Sequence, residues 1–289
     1  MFDMKHIPKP ILLCFIIITC LFCIKCTGQQ KSRSPKGYDL NNPVKYNMPE
    51  ALHEISGIAF NKGNPDMMFA EQDEEGELFY FKPGSMNVKQ IKFGQGGDYE
   101  DVAITNNQVI MLRSDGVLFT FPLDLKKAEA TNVKQWDSLL PKGEYEGMYA
   151  DDSDQSVYVL CKHCSIEKTS KTSTVFTLKL SADGSLKNAG QHTIDVGRVS
   201  KLAGVKKMNF HPSGLSKNPK TNEWYILSSV NKLLVIADTN WNVKEVYPLN
   251  RGKFGQPEGI AFDNQNNLYI SNEGDKVGAG NVLKFTFKP

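Results

Sequence analysis

Three glutamates recur at the first position of a repeated pentapeptide: Glu100-Asp101-Val102-Ala103-Ile104, Glu146-Gly147-Met148-Tyr149-Ala150 and Glu258-Gly259-Ile260-Ala261-Phe262. Two further copies carry serine there, Ser56-Gly57-Ile58-Ala59-Phe60 and Ser213-Gly214-Leu215-Ser216-Lys217. Carboxylates that a repeat brings to one place raise each other's pKa unless a cation or a basic side chain compensates them. Their oxygens suit Ca²⁺, which accepts about six to eight such donors, or Mg²⁺ with retained waters. Glu100, Glu146 and Glu258 are therefore candidate cation ligands. A second set follows 13 to 16 residues after each motif start: Glu71, Arg113, Lys162, Ser229 and Glu273. Together with Asp101, the ionisable members Glu71, Arg113, Lys162 and Glu273 are candidate ligand-binding residues, and Arg113 and Lys162 are candidate internal counter-charges. The bland alternative is that the glutamates are solvated turn residues at strand ends.

Other chemistries find less support. His53, His163, His192 and His211 are scattered, which argues against a transition-metal site. Cys161-Lys162-His163-Cys164 has redox-motif spacing but lacks a β-α-β context, leaving a local disulfide or one core thiol plus one exposed thiol. No glycine-rich phosphate loop and no serine in a nucleophile-elbow sequence is present.

The elements that must position these residues are strands. Motif starts are separated by 44, 46, 67 and 45 residues, and the long step carries an insertion between Cys161 and Thr174. After each motif come a polar turn, an apolar strand such as Val109 to Leu112, a second turn and a third strand such as Val117 to Phe121. Four copies add a weaker fourth strand: Val88 to Phe93, Asn132 to Trp136, Gly190 to Val196 and Val243 to Pro248. The strands are rich in Val, Ile, Tyr and Phe, turns such as Asp115-Gly116 separate them, and no stretch sustains a helical period. Four short antiparallel strands per repeat of about 45 residues predict an all-β, five-bladed β-propeller. The fifth copy has only three strands, and Pro43 to Met48 can supply its fourth and close the ring. Six blades would require a degenerate blade hidden in the 67-residue step, where one blade already uses the strands. Blade geometry sends the starts of first strands and the ends of second strands to one mouth of the central channel, so both candidate sets converge there.

The chain has 289 residues, 40% hydrophobic and 23% charged, with 34 basic against 32 acidic side chains. A formal net charge of +2 offers no basic face for nucleic acid. Lys5 and Lys9 precede an apolar run of 14 residues, Ile11 to Ile24. That run is shorter than the ~20 residues of a spanning helix and suits a signal peptide. Four of the six cysteines fall in or just after it, as in a bacterial lipoprotein signal. Cys20, with Thr19 before it, fits the cleavage preference; Cys23 and Cys26 are the other lipidation candidates, and only Cys26 leads directly into polar sequence. Residues 1–26 are accordingly assigned to a lipoprotein-type signal peptide, 27–42 to a polar tether and 43–289 to the propeller. An uncleaved anchor helix is the alternative, and both readings place the propeller outside the cytoplasm, in the cell envelope and attached to a membrane.

The segments Glu54-Ile55-Ser56-Gly57-Ile58, Asp98-Tyr99-Glu100-Asp101-Val102, Tyr145-Glu146-Gly147-Met148, His211-Pro212-Ser213-Gly214-Leu215 and Pro257-Glu258-Gly259-Ile260-Ala261 resemble those of the SdiA-regulated, or YjiK-like, family of bacterial envelope β-propellers. The likeness runs from about Tyr46 to Lys288. It implies an exported, membrane-associated propeller with a bound divalent cation, and it implies no particular reaction. Looser likenesses are to metal-dependent lactonases and calcium-rich phytases. The expected function is thus a module binding Ca²⁺ or Mg²⁺, a small ligand or a protein partner at the channel mouth. The alternatives are a metal-dependent hydrolase of a lactone or phosphoester and a purely structural envelope protein.

The leader yields a direct test. The mature protein should fractionate with membranes, and acyl labelling should disappear when the modified one of Cys20, Cys23 or Cys26 is replaced by serine. A soluble protein retaining Met1 would overturn this assignment.

Overall fold

A computed structural model describes residues 33–289. The signal peptide, Cys20, Cys23, Cys26 and the first part of the tether lie outside the described residues. Five four-stranded antiparallel sheets form the blades of a propeller. Blade 1 comprises β2 (Ile55–Phe60), β3 (Met68–Gln72), β4 (Glu77–Phe81) and β5 (Lys89–Lys92). Blade 2 comprises β6 (Tyr99–Thr105), β7 (Gln108–Arg113), β8 (Leu118–Pro122) and β9 (Lys134–Trp136). Blade 3 comprises β10 (Gly143–Ala150), β11 (Ser156–Cys164), β12 (Thr172–Leu180) and β13 (Leu186–Asp195). Blade 4 comprises β14 (Gly214–Lys217), β15 (Trp224–Ser228), β16 (Leu233–Ala237) and β17 (Val243–Pro248). Blade 5 comprises β18 (Pro257–Phe262), β19 (Leu268–Asn272), β20 (Asn281–Phe285) and the N-terminal β1 (Val44–Asn47). β1 pairs with β20 from Val44 opposite Lys284 to Asn47 opposite Asn281, so the expected closing strand is in place. There is no sixth blade among the described residues.

Each blade buries both faces, and the core is divided into five clusters, one between each pair of neighbouring blades. Ile91, Tyr99, Met111 and Phe121 pack between blades 1 and 2. Leu112, Tyr145, Val157 and Phe176 pack between blades 2 and 3. Burial on two faces explains why central strands such as Val109 to Leu112 read as continuous apolar runs rather than as alternation.

Two features of the 67-residue step differ from the sequence reading. The insertion is not confined to Cys161–Thr174: blade 3 has longer strands, and a short helix α1 (Val196–Leu202) with a connecting loop precedes the next motif. Asp195 caps α1 by accepting the Arg198 N–H at 3.2 Å. At seven residues the helix is too short to print a period on the sequence.

The described part of the expected tether is folded onto the propeller. Tyr38 and Leu40 are buried in the cluster between blades 4 and 5. The Tyr38 hydroxyl donates to the Asn266 carbonyl at 2.8 Å and accepts from the side-chain amides of Asn266 (2.8 Å) and Asn218 (3.1 Å). One hydroxyl thereby ties the N-terminal segment to turns of two blades. Tyr38→Phe should lower stability by about 1–3 kcal/mol, because it leaves buried amide groups unpartnered. Tyr38→Ala should lower it by about 3–5 kcal/mol. Urea unfolding of the two variants checks both values, and equal losses would show that the hydroxyl contributes nothing.

Candidate functional site

The first strands β2, β6, β10, β14 and β18 surround the axis and contact one another in that order. Their approach is close. A Cβ on Gly214 would lie 2.3 Å from the Glu258 carbonyl oxygen, and one on Gly259 would lie 2.4 Å from that of Ser56. A Cβ on Gly57 would lie 2.6 Å from the Asp101 Cα, and one on Gly147 3.2 Å from the Gly214 Cα. The motif glycine is thus dictated by contact between blades. The motif serines serve the same contact: Ser56 Oγ donates to the Glu100 carbonyl at 3.1 Å and Ser213 Oγ to that of Pro257 at 2.8 Å.

Bulges aim the motif glutamates. The ladder from β6 to β7 slips between Tyr99 and Asp101, that from β10 to β11 between Tyr145 and Gly147, and that from β18 to β19 between Pro257 and Ile260. Glu100, Glu146 and Glu258 fall at these slips, where an extra residue escapes pairing and its side chain is redirected. Buried tyrosines just before two of them pin the entering loop, since Tyr99 donates to the Gln95 carbonyl (2.9 Å) and Tyr145 to that of Pro141 (2.6 Å).

The result is an acidic cup of about 210 Å³ lined by Glu54, Ser56, Asp73, Glu100, Glu146, Lys162, Gln256, Glu258 and Glu273. Six carboxylates face one ammonium. Lys162 forms an ion pair with Glu146 and lowers the pKa of Glu100 and Glu258 through space. It is held between Cys161 and Cys164, which form a buried disulfide, the local bridge foreseen among the alternatives. Burial, reinforced by Asp98, pushes Glu100 up to about 9 despite Lys162. Burial together with Glu258 and Glu54 raises Glu273 to about 7, and burial with Glu54 and Glu273 raises Asp73 to about 7. Burial also raises Glu258, opposed by Ser229, Lys162 and Lys232. Among the described residues, no group of three or more His, Cys, Asp or Glu is gathered closely enough to hold a metal ion as it stands.

The other sequence candidates lie elsewhere. Glu71 is fully buried, accepts the Gly57 N–H at 2.5 Å through Oε1 and has no partner for Oε2. Desolvation pushes its pKa well up. Asp101 is also buried, accepting the N–H of Val102 (2.8 Å) and of Met148 in the next blade (2.6 Å). It therefore joins blades 2 and 3. Arg113 pairs with Asp115 at 2.9 Å and is not part of the cup lining. Sequence reasoning did not single out Glu54 or Asp73. Their signal was adjacency: each stands two residues from a residue that was chosen, Ser56 or Glu71, at the same end of its strand.

Below the cup the channel narrows to an apolar waist lined by Ile58, Val102, Met148, Leu215 and Ile260, with a free volume of about 60 Å³. Beyond it opens a wider mouth of about 520 Å³, whose rim includes Lys62, Asn106, Asp152 and Lys217. A charged ligand in the acidic cup is therefore confined to that end of the channel.

The carboxyls raised by burial set the pH response. A raised carboxyl contributes stability that is fully present below its unfolded pKa and is lost as pH rises through the folded value. For Glu100, Asp73 and Glu273 the window runs from the ordinary carboxylate range to about 7 and about 9. In metal-free buffer the melting temperature should fall between roughly pH 5 and pH 9. Glu100→Gln should flatten the upper part of that fall in calorimetric scans; an unchanged slope would remove Glu100 as its cause.

The profile of the SdiA-regulated family matches residues 31–276. No curated protein matches the sequence. Among solved structures, a glutaminyl cyclase from Myxococcus xanthus is similar with a TM-score of 0.56 at 14% identity, over 85% of this chain and 96% of that one. A PQQ-bound aldose sugar dehydrogenase from Streptomyces coelicolor scores 0.54 at 11% identity, over 86% and 99%. Regucalcin from Agrobacterium tumefaciens, titled a calcium-binding protein, scores 0.50 at 13% identity, over 87% and 95%. At such identities the likeness shows the fold alone.

Proposed function

This chain belongs to the SdiA-regulated family, and from that premise we propose that it is an exported, membrane-tethered binding propeller whose acidic cup takes up a divalent cation of the Ca²⁺ or Mg²⁺ class. The observation that carries this reading is the charge imbalance: six carboxylates share about 210 Å³ with one lysine. Burial holds Glu100 at about 9, so the cup keeps protons at neutral pH that a cation would displace. The donors are all oxygen, the set that hard cations prefer. Glu100, Glu146 and Glu258 would hold the ion, with Glu273 and Asp73 supplying further charge. Lys162 competes with it, so uptake requires Glu146 to exchange its ammonium partner for the metal.

Binding should appear as stabilisation. At a hundred times the dissociation constant a single site adds about 2.7 kcal/mol, a rise of roughly 5–10 °C in melting temperature for a chain of this size. Glu100→Gln or Glu258→Gln should weaken the response to Ca²⁺ or Mg²⁺, whereas Lys162→Met should strengthen it by removing the competitor. Absence of any shift up to about 10 mM of either metal, beyond the range of weak extracellular sites, in both native protein and Lys162→Met, would sink the proposal.

One observation favours hydrolysis as a second reading. Asp73 and Glu273 titrate near 7 beside the Glu146–Lys162 ion pair, the separation of protonation states that general acid–base catalysis uses. Turnover of a lactone or phosphoester, with a pH–rate limb near 7 that moves in Glu273→Gln, would support it.

A further inference from the structure

The acidic cup has an acidic neighbour. A groove of about 390 Å³ lies between the 3₁₀ helix Glu50–Leu52, which links β1 to β2, and the turn from β3 to β4. Glu50, Glu54, Glu74, Glu75, Glu77 and His53 line it, with Phe79 in its wall and no lysine or arginine. Glu54 also lines the cup, so the two cavities share a side chain. Among the described residues none of the five glutamates forms an ion pair, and Lys92 acts on Glu77 only through space. Nor, among the described residues, are they gathered closely enough to hold one metal ion. A second, independent observation is the Gln72 side chain in the same lining, only 7% exposed. Its Oε1 accepts the Glu74 N–H at 2.9 Å, while its Nε2 has no partner among the described residues. A buried amide donor left in that state calls for an acceptor from outside the chain.

We propose that groove and cup together bind an extended segment of a protein partner that carries lysine or arginine at spaced positions. The inference builds on the reading of the cup as a cation site and goes beyond it to a partner. Carboxylates spread along a groove match charges spread along a chain, whereas one ion neutralises only those nearest to it. An extended segment advances about 6.6 Å over two residues, so basic side chains at alternate positions meet successive carboxylates. Lys162 already shows how the cup receives an ammonium, by pairing with Glu146. The segment's backbone also offers carbonyls, the acceptors that Gln72 Nε2 lacks and that a metal ion or a polyamine cannot supply. Beside the groove stands Val277, 96% exposed, in the turn between β19 and β20. That turn is fixed to the groove's edge, since Gly274 N donates to the His53 carbonyl at 2.7 Å. Asp275 Oδ1 holds it closed by accepting the N–H of Val277 (2.8 Å) and of Gly278 (2.7 Å). An apolar side chain held out next to a charged groove suits a protein partner better than a free ion.

The test titrates the full-length protein calorimetrically with a capped nonapeptide of alternating lysine and alanine. Its counterpart with glutamate for lysine is the control. The lysine peptide should bind and the glutamate peptide should not, and salt at about 0.5 M should weaken binding strongly. Glu74→Gln combined with Glu75→Gln should weaken the lysine peptide by about tenfold. The same pair should leave the melting-temperature response to Ca²⁺ or Mg²⁺ unchanged, since neither residue lines the cup. Gln72→Met should weaken the peptide by about fivefold and leave spermine, which has no carbonyl, unaffected. No binding of the lysine peptide up to about 1 mM, or equal binding by the double variant, would overturn the proposal and leave the metal reading standing. Spermine binding as tightly as the peptide, with Gln72→Met affecting neither, would show that charge alone is read and would overturn the peptide partner. Peptide binding without any metal response would support this proposal and remove the metal reading.

Discussion

The close approach of five first strands around one axis is the constraint on which the rest of this structure depends. A ring of only five blades leaves no room for a Cβ where one blade's backbone passes its neighbour's carbonyl. Gly57, Gly147, Gly214 and Gly259 meet that demand by omission. At the fifth position Asp101 meets it differently, turning its carboxylate to the Met148 amide of the next blade. That bond in turn requires Gly57, since a Cβ there would sit 2.3 Å from Asp101 Oδ1. Serine hydroxyls complete the ring, with Ser271 donating to the Ser56 carbonyl at 2.5 Å while accepting the Gly259 amide at 2.7 Å.

The same crowding produces the acidic cup. Strands packed this tightly accommodate an extra residue only by bulging, and the bulges fall where the motif places its glutamates. Carboxylates that would be solvated on an ordinary turn are drawn together above a waist of apolar side chains with only about 60 Å³ of free volume. Their raised pKa values follow from that desolvation more than from mutual repulsion, since burial is the largest cause for Glu100, Asp73, Glu258 and Glu273 alike. Among the cup-lining residues Lys162 is the one basic side chain, and the longer second strand of blade 3 with its Cys161–Cys164 bridge brings it there.

Polarity along the axis follows from closure. Because β1 completes the blade begun by β18, both ends of the described chain emerge at the end away from the cup. Tyr38 fastens that end by bonding to turns of blades 4 and 5. The apolar waist separates the acidic cup from the wider mouth, whose lining mixes lysines with aspartates.

The repeat, the number of blades and the closing strand were legible in the sequence, because each depends on local periodicity that recurs at a near-constant spacing. Glu100, Glu146, Glu258, Glu273 and Lys162 were legible as residues of one mouth for the same reason. What the tertiary structure alone decided is the direction of individual side chains near the axis. Alternation along a strand is readable only while the register is regular, and a bulge shifts it by one residue. Glu71 therefore stands under the cup as a buried acid whose pKa desolvation raises, while Asp73 two residues on reaches its lining. Arg113, at the predicted strand end, turns to Asp115 two residues away, a partner that strand periodicity does not reveal. Tyr38 lies in a polar stretch that reads as linker, and its burial depends on Asn218 and Asn266, partners 180 and 228 residues distant. Spacing determined which residues share an end of the propeller; burial and long-range contact determined which of them face it.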